Sequence, residues 1–398
     1  MSPLIECGKP LFFEVADPGR LGLGAPAVRR GRAVRAAVRS LSLMQKEALV
    51  CSSRTGAIWR LASDEGAYLM GDDVAPCPLA FFTAGMVAST MNELLALARQ
   101  RNVTLPALRL IQDDFYTMEG SALQGTMTGG ALPVELTAEL PGDADRDALG
   151  GLIQEAVAAS PVSGLVRGVH ESLFTLTLNG AEIEPRRVRA IGRPAEADPL
   201  KIFERAEPAA GDWRDLVSRA GTTPTTEEAT SDTGSSYQEH QSRRLHVRGI
   251  CSLRPDGIKT IEQHLYNPLG SIFHFLSEEG TADGGQGRAP DALSYLAAGL
   301  AFCFMTQLGR YGKITRRQLD DYRVVQDMHF SLGGATGGTS RQGEADAVET
   351  HVHLRTPEDA GFAQKVLDMG EQTCFLHALC RTDLETRIRI RDLASEAA

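Results

Sequence analysis

The chain repeats itself, and that repeat limits the possible folds more than any other feature. Ile58 to Gly66 (IWRLASDEG) aligns with Ile272 to Gly280 (IFHFLSEEG), Arg109 to Asp113 (RLIQD) with Arg323 to Asp327 (RVVQD), and Val134 to Leu140 (VELTAEL) with Val348 to Leu354 (VETHVHL). The offset over this matching core is a constant 214 positions. Self-similarity in register means one structural unit built twice. Two positions break the match chemically: Ser89 falls on Cys303, and Ser160 on Cys374. Thiol chemistry at this pair of positions therefore belongs to the second half alone.

Bulk properties agree with two packed units. A chain of 398 residues exceeds one ordinary core, and 42% apolar with 23% charged residues is a globular balance. A formal charge of −10 argues against a nucleic-acid partner, because phosphate binding needs a surplus of Lys and Arg. The N-terminal MSPLIECGKPLFFEV lacks the basic and apolar blocks of a secretory signal. The longest apolar run, about Leu293 to Met305, is too short to cross a bilayer, so no membrane partner and a cytoplasmic location are expected. The cysteines Cys7, Cys51, Cys77, Cys251, Cys303, Cys374 and Cys380 show no zinc-type spacing, and a cytosolic disulfide among them would be transient and catalytic.

Each copy reads as strands, a long buried helix, more strands, a second helix and a final strand. In the second copy His246 to Leu253, Ile258 to His264 and Ser271 to Leu276 are short strand-like runs separated by Pro-Asp-Gly and Asn-Pro-Leu-Gly turns. Pro290 opens a helix through about Leu308 that is apolar on almost every face and so belongs inside. Tyr322 to Leu332 and Ala347 to Arg355 flank the glycine-rich GGATGGTSRQGEAD, a hairpin loop rather than a phosphate cradle because the GxxxxGK[ST] order is absent. Thr356-Pro357-Glu358-Asp359 starts a further helix, Cys374 to Arg381 is a short helical segment, and Leu384 to Arg391 is the last strand. Residues 222–242 hold almost no large apolar side chains and read as a linker, preceded by one amphipathic helix somewhere in 199–217. The resulting domains are 1–195 and 244–398, joined by 196–243, partly disordered.

The buried run Ala297-Ala298-Gly299-Leu300-Ala301-Phe302-Cys303, followed at the right spacing by Cys374-Phe375-Leu376-His377, resembles the OsmC/Ohr family of organic-hydroperoxide-reducing proteins. In the first copy Ser160-Pro161-Val162-Ser163 is that family's CPVS motif with serine for cysteine, and both copies separate the two positions by 71 residues. The resemblance implies an α+β fold in which antiparallel strands wrap two central helices. Family members are intertwined homodimers, so the tandem copies would form an intramolecular pseudo-dimer, with a live site at Cys303 and a degenerate one at Ser89 and Ser160. Further association into a homo-oligomer is left open.

The chemistry itself calls for two sulfurs. A thiolate that attacks an O–O bond becomes a sulfenic acid, which over-oxidises unless a second thiol condenses with it. Cys303 would attack and Cys374 resolve, the latter's position at a helix start favouring its thiolate. Serine lacks this reactivity without an adjacent base. Taken singly, Cys303 in an apolar helix is an inert small hydrophobe; paired with Cys374 it becomes a redox candidate. Cys380, Cys51, Cys77 and Cys251 read as structural.

The resemblance also implies an arginine from an early strand and an acid ten residues before the reactive cysteine. Leu293 occupies that spot, with Asp291 two residues further back. Asp291 is either that acid or a first-turn residue complementing the helix dipole. The arginine candidates are Arg254, and Arg35 or Arg39 reaching across from the first copy. His377, one turn past Cys374, is placed to lower a thiol pKa unless it is simply packed. His351, His353 and Glu349 share one strand face that is read as pointing to water, so no metal is expected. No cofactor is expected beyond an external dithiol reductant, a lipoylated protein being one form of it. The resemblance implies an organic hydroperoxide as the substrate. The alternatives are a cysteine nucleophile acting on another electrophilic or sulfur-containing small molecule, and a non-catalytic binding protein.

Overall fold

The computed structural model describes residues 3–42, 44–225, 237 and 240–393. The principal elements of the first half are β1 (Gly31–Ser40), β2 (Lys46–Ser52), β3 (Ile58–Ser63), α1 (Pro78–Arg101), β4 (Arg109–Ser121), β5 (Val134–Leu140), α2 (Arg146–Ala159), α3 (Ser163–Arg167) and β6 (Leu173–Leu178). The second half repeats the order: β7 (His240–Leu253), β8 (Lys259–Asn267), β9 (Ser271–Ser277), α4 (Ala292–Thr315), β10 (Asp321–Ser331), β11 (Glu349–Arg355), α5 (Ala360–Thr373), α6 (Phe375–Cys380) and β12 (Thr386–Asp392). The offset of 214 holds from β3 onward. Across β1 and β2 it is 213, so Lys46 corresponds to Lys259, which occupies the matching place in its hairpin.

The halves exchange strands. One sheet runs β3-β2-β1-β10-β11-β6 and the other β9-β8-β7-β4-β5-β12, so each contains a three-strand meander and the closing strand of one half around two strands of the other. The joins between halves are long antiparallel ladders. Gly31 to Arg39 pair with Ser331 to Arg323, and His240 to Ser252 pair with Ser121 to Arg109. The expectation of antiparallel strands needs one correction. β6 lies parallel to β11 and β12 parallel to β5, because each closing strand returns beside a strand from the other half after a helical crossover.

α1 and α4 lie between the sheets. Both reach 24 residues, longer than the apolar run in the sequence suggested and long enough to cross a membrane, yet they are almost wholly buried inside the protein. Asp291 caps α4 by accepting from the Ser294 N–H at 2.7 Å, so the helix starts after it rather than at Pro290. The two helices cross on a symmetric pair of glycines. A Cβ on Gly85 would lie 2.6 Å from the Ala292 carbonyl oxygen, and one on Gly299 would lie 2.5 Å from the Phe82 nitrogen. Only glycine allows backbones this close. A single apolar cluster runs from β1 through both helices to α6 and includes residues of both halves.

The region expected to hold an amphipathic helix forms the short helix Leu200–Arg205, which seats Phe203 and Ala206 against Phe13, Leu49 and Ile58 on the outer face of the first sheet. Val217–Thr222 then adds an edge strand beside β9. The linker at 226–236 lies outside the described residues. On the second sheet the outer face carries a stack of Phe115, His246, Tyr266 and His264, with successive ring centroids 4.5, 4.9 and 5.5 Å apart.

Two outcomes follow. Gly299→Ala should cost about 1–3 kcal/mol, because helices in backbone contact must separate to admit a methyl group, and urea unfolding measures it. Residues 240–398 produced alone should elute in size-exclusion chromatography as a dimer or aggregate; a compact monomer would contradict the strand exchange.

Candidate functional site

Cys303 sits in the middle of α4 and Cys374 at the junction of α5 and α6, both buried. Their Sγ atoms are 3.5 Å apart. The matched pair in the first half, Ser89 and Ser160, has its Oγ atoms 2.8 Å apart. The same backbone scaffold thus brings both pairs together, with two thiols in one site and two hydroxyls in the other.

Cys303 opens on a narrow pocket of about 30 Å³, room for a water or two, whose walls come from both halves. α4 contributes Thr306, Gln307 and Arg310, three, four and seven residues past Cys303 and therefore on its face. The first half contributes Glu65, Tyr68 and Cys77. Glu65 accepts from the Thr306 hydroxyl and from the Tyr68 hydroxyl, each at 2.7 Å, with the Lys46 ammonium 3.9 Å away. Lys46 is fully buried, which lowers its pKa, while Glu65 opposes the shift. Burial pushes Arg310 down to about 9, and the neighbouring Arg243 guanidinium pushes the same way. Behind the thiols, Gly129 of the strand Thr128–Ala131 lies against α5, where a Cβ would come 2.6 Å from the Thr373 carbonyl oxygen.

The two thiols differ in charge preference. Burial, then the adjoining Cys374 sulfur, drives the Cys303 thiol well above its ordinary range. For Cys374 burial is again the largest influence, but contact with Cys303 and the imidazole of His377 overcome it and leave that thiol well below its ordinary range. A first proton leaves the pair more easily than an isolated buried thiol would allow, with His377 beside the charge.

Several expected residues are elsewhere. Arg254 is a half-exposed surface residue paired with Asp256 at 3.2 Å, bordering an open groove of about 870 Å³ away from the thiols. Arg39 pairs with Glu47 at 2.5 Å and covers the Phe203 ring on the outer sheet face; Arg35 holds Asp327 with two bonds of 2.7 Å on that face. Alternation along β1 turns both away from the helices. Asp291 stands twelve residues before Cys303, roughly 18 Å along the helix. The start of α4 borders the serine site instead, and Pro78 and Leu79 at the start of α1 border Cys303. Cys77, read as structural, also lines the thiol pocket, with burial raising its thiol to about 12.

The serine site is tighter, with about 10 Å³ beside Ser89. Glu93 accepts from the backbone N–H groups of Ala335 and Thr336 at 2.8 and 3.0 Å and from the Thr336 hydroxyl at 2.6 Å. The glycine-rich hairpin thus cradles a carboxylate of its own chain. Glu279, counterpart of Glu65, takes Asn92 at 2.6 Å and the Ala292 N–H at 3.1 Å.

His351, His353 and Glu349 do not point to water as expected; all three are buried beneath residues 193–198. His351 brings a ring nitrogen within 4.8 Å of carboxylate oxygens of Glu196 and Asp327, a spacing that could hold a metal. Arg35 and Arg193 already neutralise both carboxylates, so these donors make an ion-pair network. His351 is pushed down to about 4, by burial first and Arg193 second, and stays neutral.

Residues 285–389 match the family model described as OsmC-like protein, so the half that holds both thiols carries an OsmC-like domain. Among solved structures, the chain matches an OsmC-like hydroperoxide resistance protein from Jannaschia sp. CCS1. Identity is 20% over 32% of this chain and 79% of that one, with a TM-score of 0.20. No curated protein matches the chain.

The buried network gives a pH prediction. Burial alone would raise the Glu349 carboxyl, but hydrogen bonds from Arg29 and Arg193 outweigh it and lower it from 4.5 to about 2. A depressed acid stabilises the fold above its unfolded pKa and loses that contribution as pH falls through its folded value. Glu349→Gln should therefore cost about 1 kcal/mol at neutral pH, with the gap to the native protein closing between pH 4.5 and about 2 in urea titrations.

Proposed function

We propose that the protein is a thiol-dependent peroxidase that reduces organic hydroperoxides through Cys303 and Cys374. It would act as an intramolecular pseudo-dimer of two OsmC-like domains, 1–195 and 244–398, of which only the second is live. The observation that carries this reading is the 3.5 Å contact between two buried sulfurs beside a pocket, against hydroxyls at the matched positions.

In the proposed cycle the Cys303 thiolate attacks the peroxide O–O bond, releasing an alcohol and leaving a sulfenic acid. The Cys374 sulfur then displaces water to close a disulfide, so each hydroperoxide oxidises two thiols. A dithiol, such as a lipoylated protein, returns both to the reduced state in the cytoplasm. Arg310 and Arg243 supply positive charge at the pocket wall. The pocket's small volume favours compact hydroperoxides unless its mouth opens. That narrowness also gives the second reading, Cys303 as nucleophile toward another small electrophile, its specific support.

One equivalent of a compact hydroperoxide such as tert-butyl hydroperoxide added to reduced protein should yield a Cys303–Cys374 disulfide, identified by peptide mass spectrometry, and Cys303→Ser should abolish peroxide consumption with a dithiol. Undiminished turnover in that variant would end the proposal. An adduct on Cys303 with no disulfide after exposure to other electrophiles would instead support the second reading.

A further inference from the structure

The two halves differ at a third position in the same site. Counterpart to His377 is Ser163, whose hydroxyl donates to the Val157 carbonyl. Hydroxyl, hydroxyl and hydroxyl in one half thus become thiol, thiol and imidazole in the other. His377 is buried, its ring centroid 5.5 Å from that of Phe174 and 5.0 Å from that of Phe304. Neither ring nitrogen has a hydrogen-bond partner among the described residues, whether oxygen, nitrogen or sulfur. A basic group in an aromatic box, without such a partner, is costly unless it serves the polar group beside it. That group is the Cys374 thiol, one helical turn earlier.

We propose that His377 is the base of the thiol pair, taking the Cys303 proton through Cys374, so that Cys374 both activates and resolves its partner. This rests on the thiol-redox reading of the pocket, although its test needs no peroxide. As the Cys374 S–H proton passes to the imidazole, the Cys303 S–H proton passes to the Cys374 sulfur. The net change is a Cys303 thiolate and a His377 imidazolium. When the thiolate attacks a hydroperoxide, the S–O bond forms and the O–O bond breaks, and the departing alkoxide collects that proton by the reverse route. The second step forms the S–S bond, breaks the S–O bond and releases water. In total two thiols and one hydroperoxide give a disulfide, an alcohol and water. The easier ionisation of Cys374 noted above agrees with the first of these transfers, and the raised Cys303 thiol makes its thiolate the scarcer of the two.

Other titratable or charged groups face the pair. Lys46 and Glu65 act on Cys303 in opposite senses. Tyr116 is held well above its ordinary range by burial. Burial also lifts Cys77 and Cys380 to about 12, so both stay protonated near neutrality. Arg310 stands at the pocket wall. The proposed substitutions leave all of these in place.

The test is the pH profile of Cys303 alkylation by iodoacetamide, read by mass spectrometry on full-length protein. His377→Phe keeps the aromatic packing, and His377→Gln serves as a second variant should Phe disturb folding; urea unfolding checks both. The expected result is a midpoint moved upward by about one pH unit or more, a tenfold loss of thiolate at neutral pH. Overlapping profiles for native and His377 variants would overturn the proposal. Peroxide inactivity with the expected shift would leave this inference standing and refute the peroxidase reading alone.

Discussion

Two helices touching backbone to backbone at Gly85 and Gly299 set the dimensions of everything around them. Their close approach makes a core thin enough for one sheet to cover each side, and places the start of each helix beside the middle of the other. Cys303 therefore meets Cys77 and Glu65, while Ser89 meets the start of α4. With a side chain at either glycine the helices would have to move apart, and the pocket walls would move with them.

The same scaffold accommodates both pairs because Ser89 and Cys303, like Ser160 and Cys374, differ only by oxygen for sulfur. Two hydroxyls hydrogen-bond each other at 2.8 Å, and the two thiols do the same at the longer 3.5 Å that sulfur requires. Around the hydroxyls the cavity shrinks to about 10 Å³: Glu93 ties down the glycine-rich hairpin, and Glu279 holds Asn92. Around the sulfurs Gln307 stands where Glu93 stands in the other half, and the pocket reaches outward past Leu69 and Pro268.

Much of this could be read from the residues. The repeat, the buried helices and the pairing of Cys303 with Cys374 rest on local pattern and constant spacing. Thr306, Gln307 and Arg310 were also within reach, since helical periodicity puts them on the Cys303 face. What escaped were contacts created by strand exchange. No local pattern says that Lys46 and Glu65 serve a site more than two hundred residues away, or that Asp291 belongs with the other one. The burial of His351 and His353 was hidden for a related reason: alternation correctly placed them opposite Val352 and Leu354, but the segment covering that face comes from residues 193–198. Arg39 and Arg254 failed as candidates because a family-level expectation about an arginine carried no information about strand facing.

Because each pocket borrows a wall from the other half, joining the halves in one polypeptide has a genetic consequence. In an assembly of identical chains, any substitution appears in both cavities at once, so a change that suits one wall is imposed on the other. A single chain frees each wall to vary separately. Lys46 and Glu65 can adapt to the thiol pair while Thr336 and Glu279 adapt to the hydroxyl pair, and selection on one pair need not disturb the other.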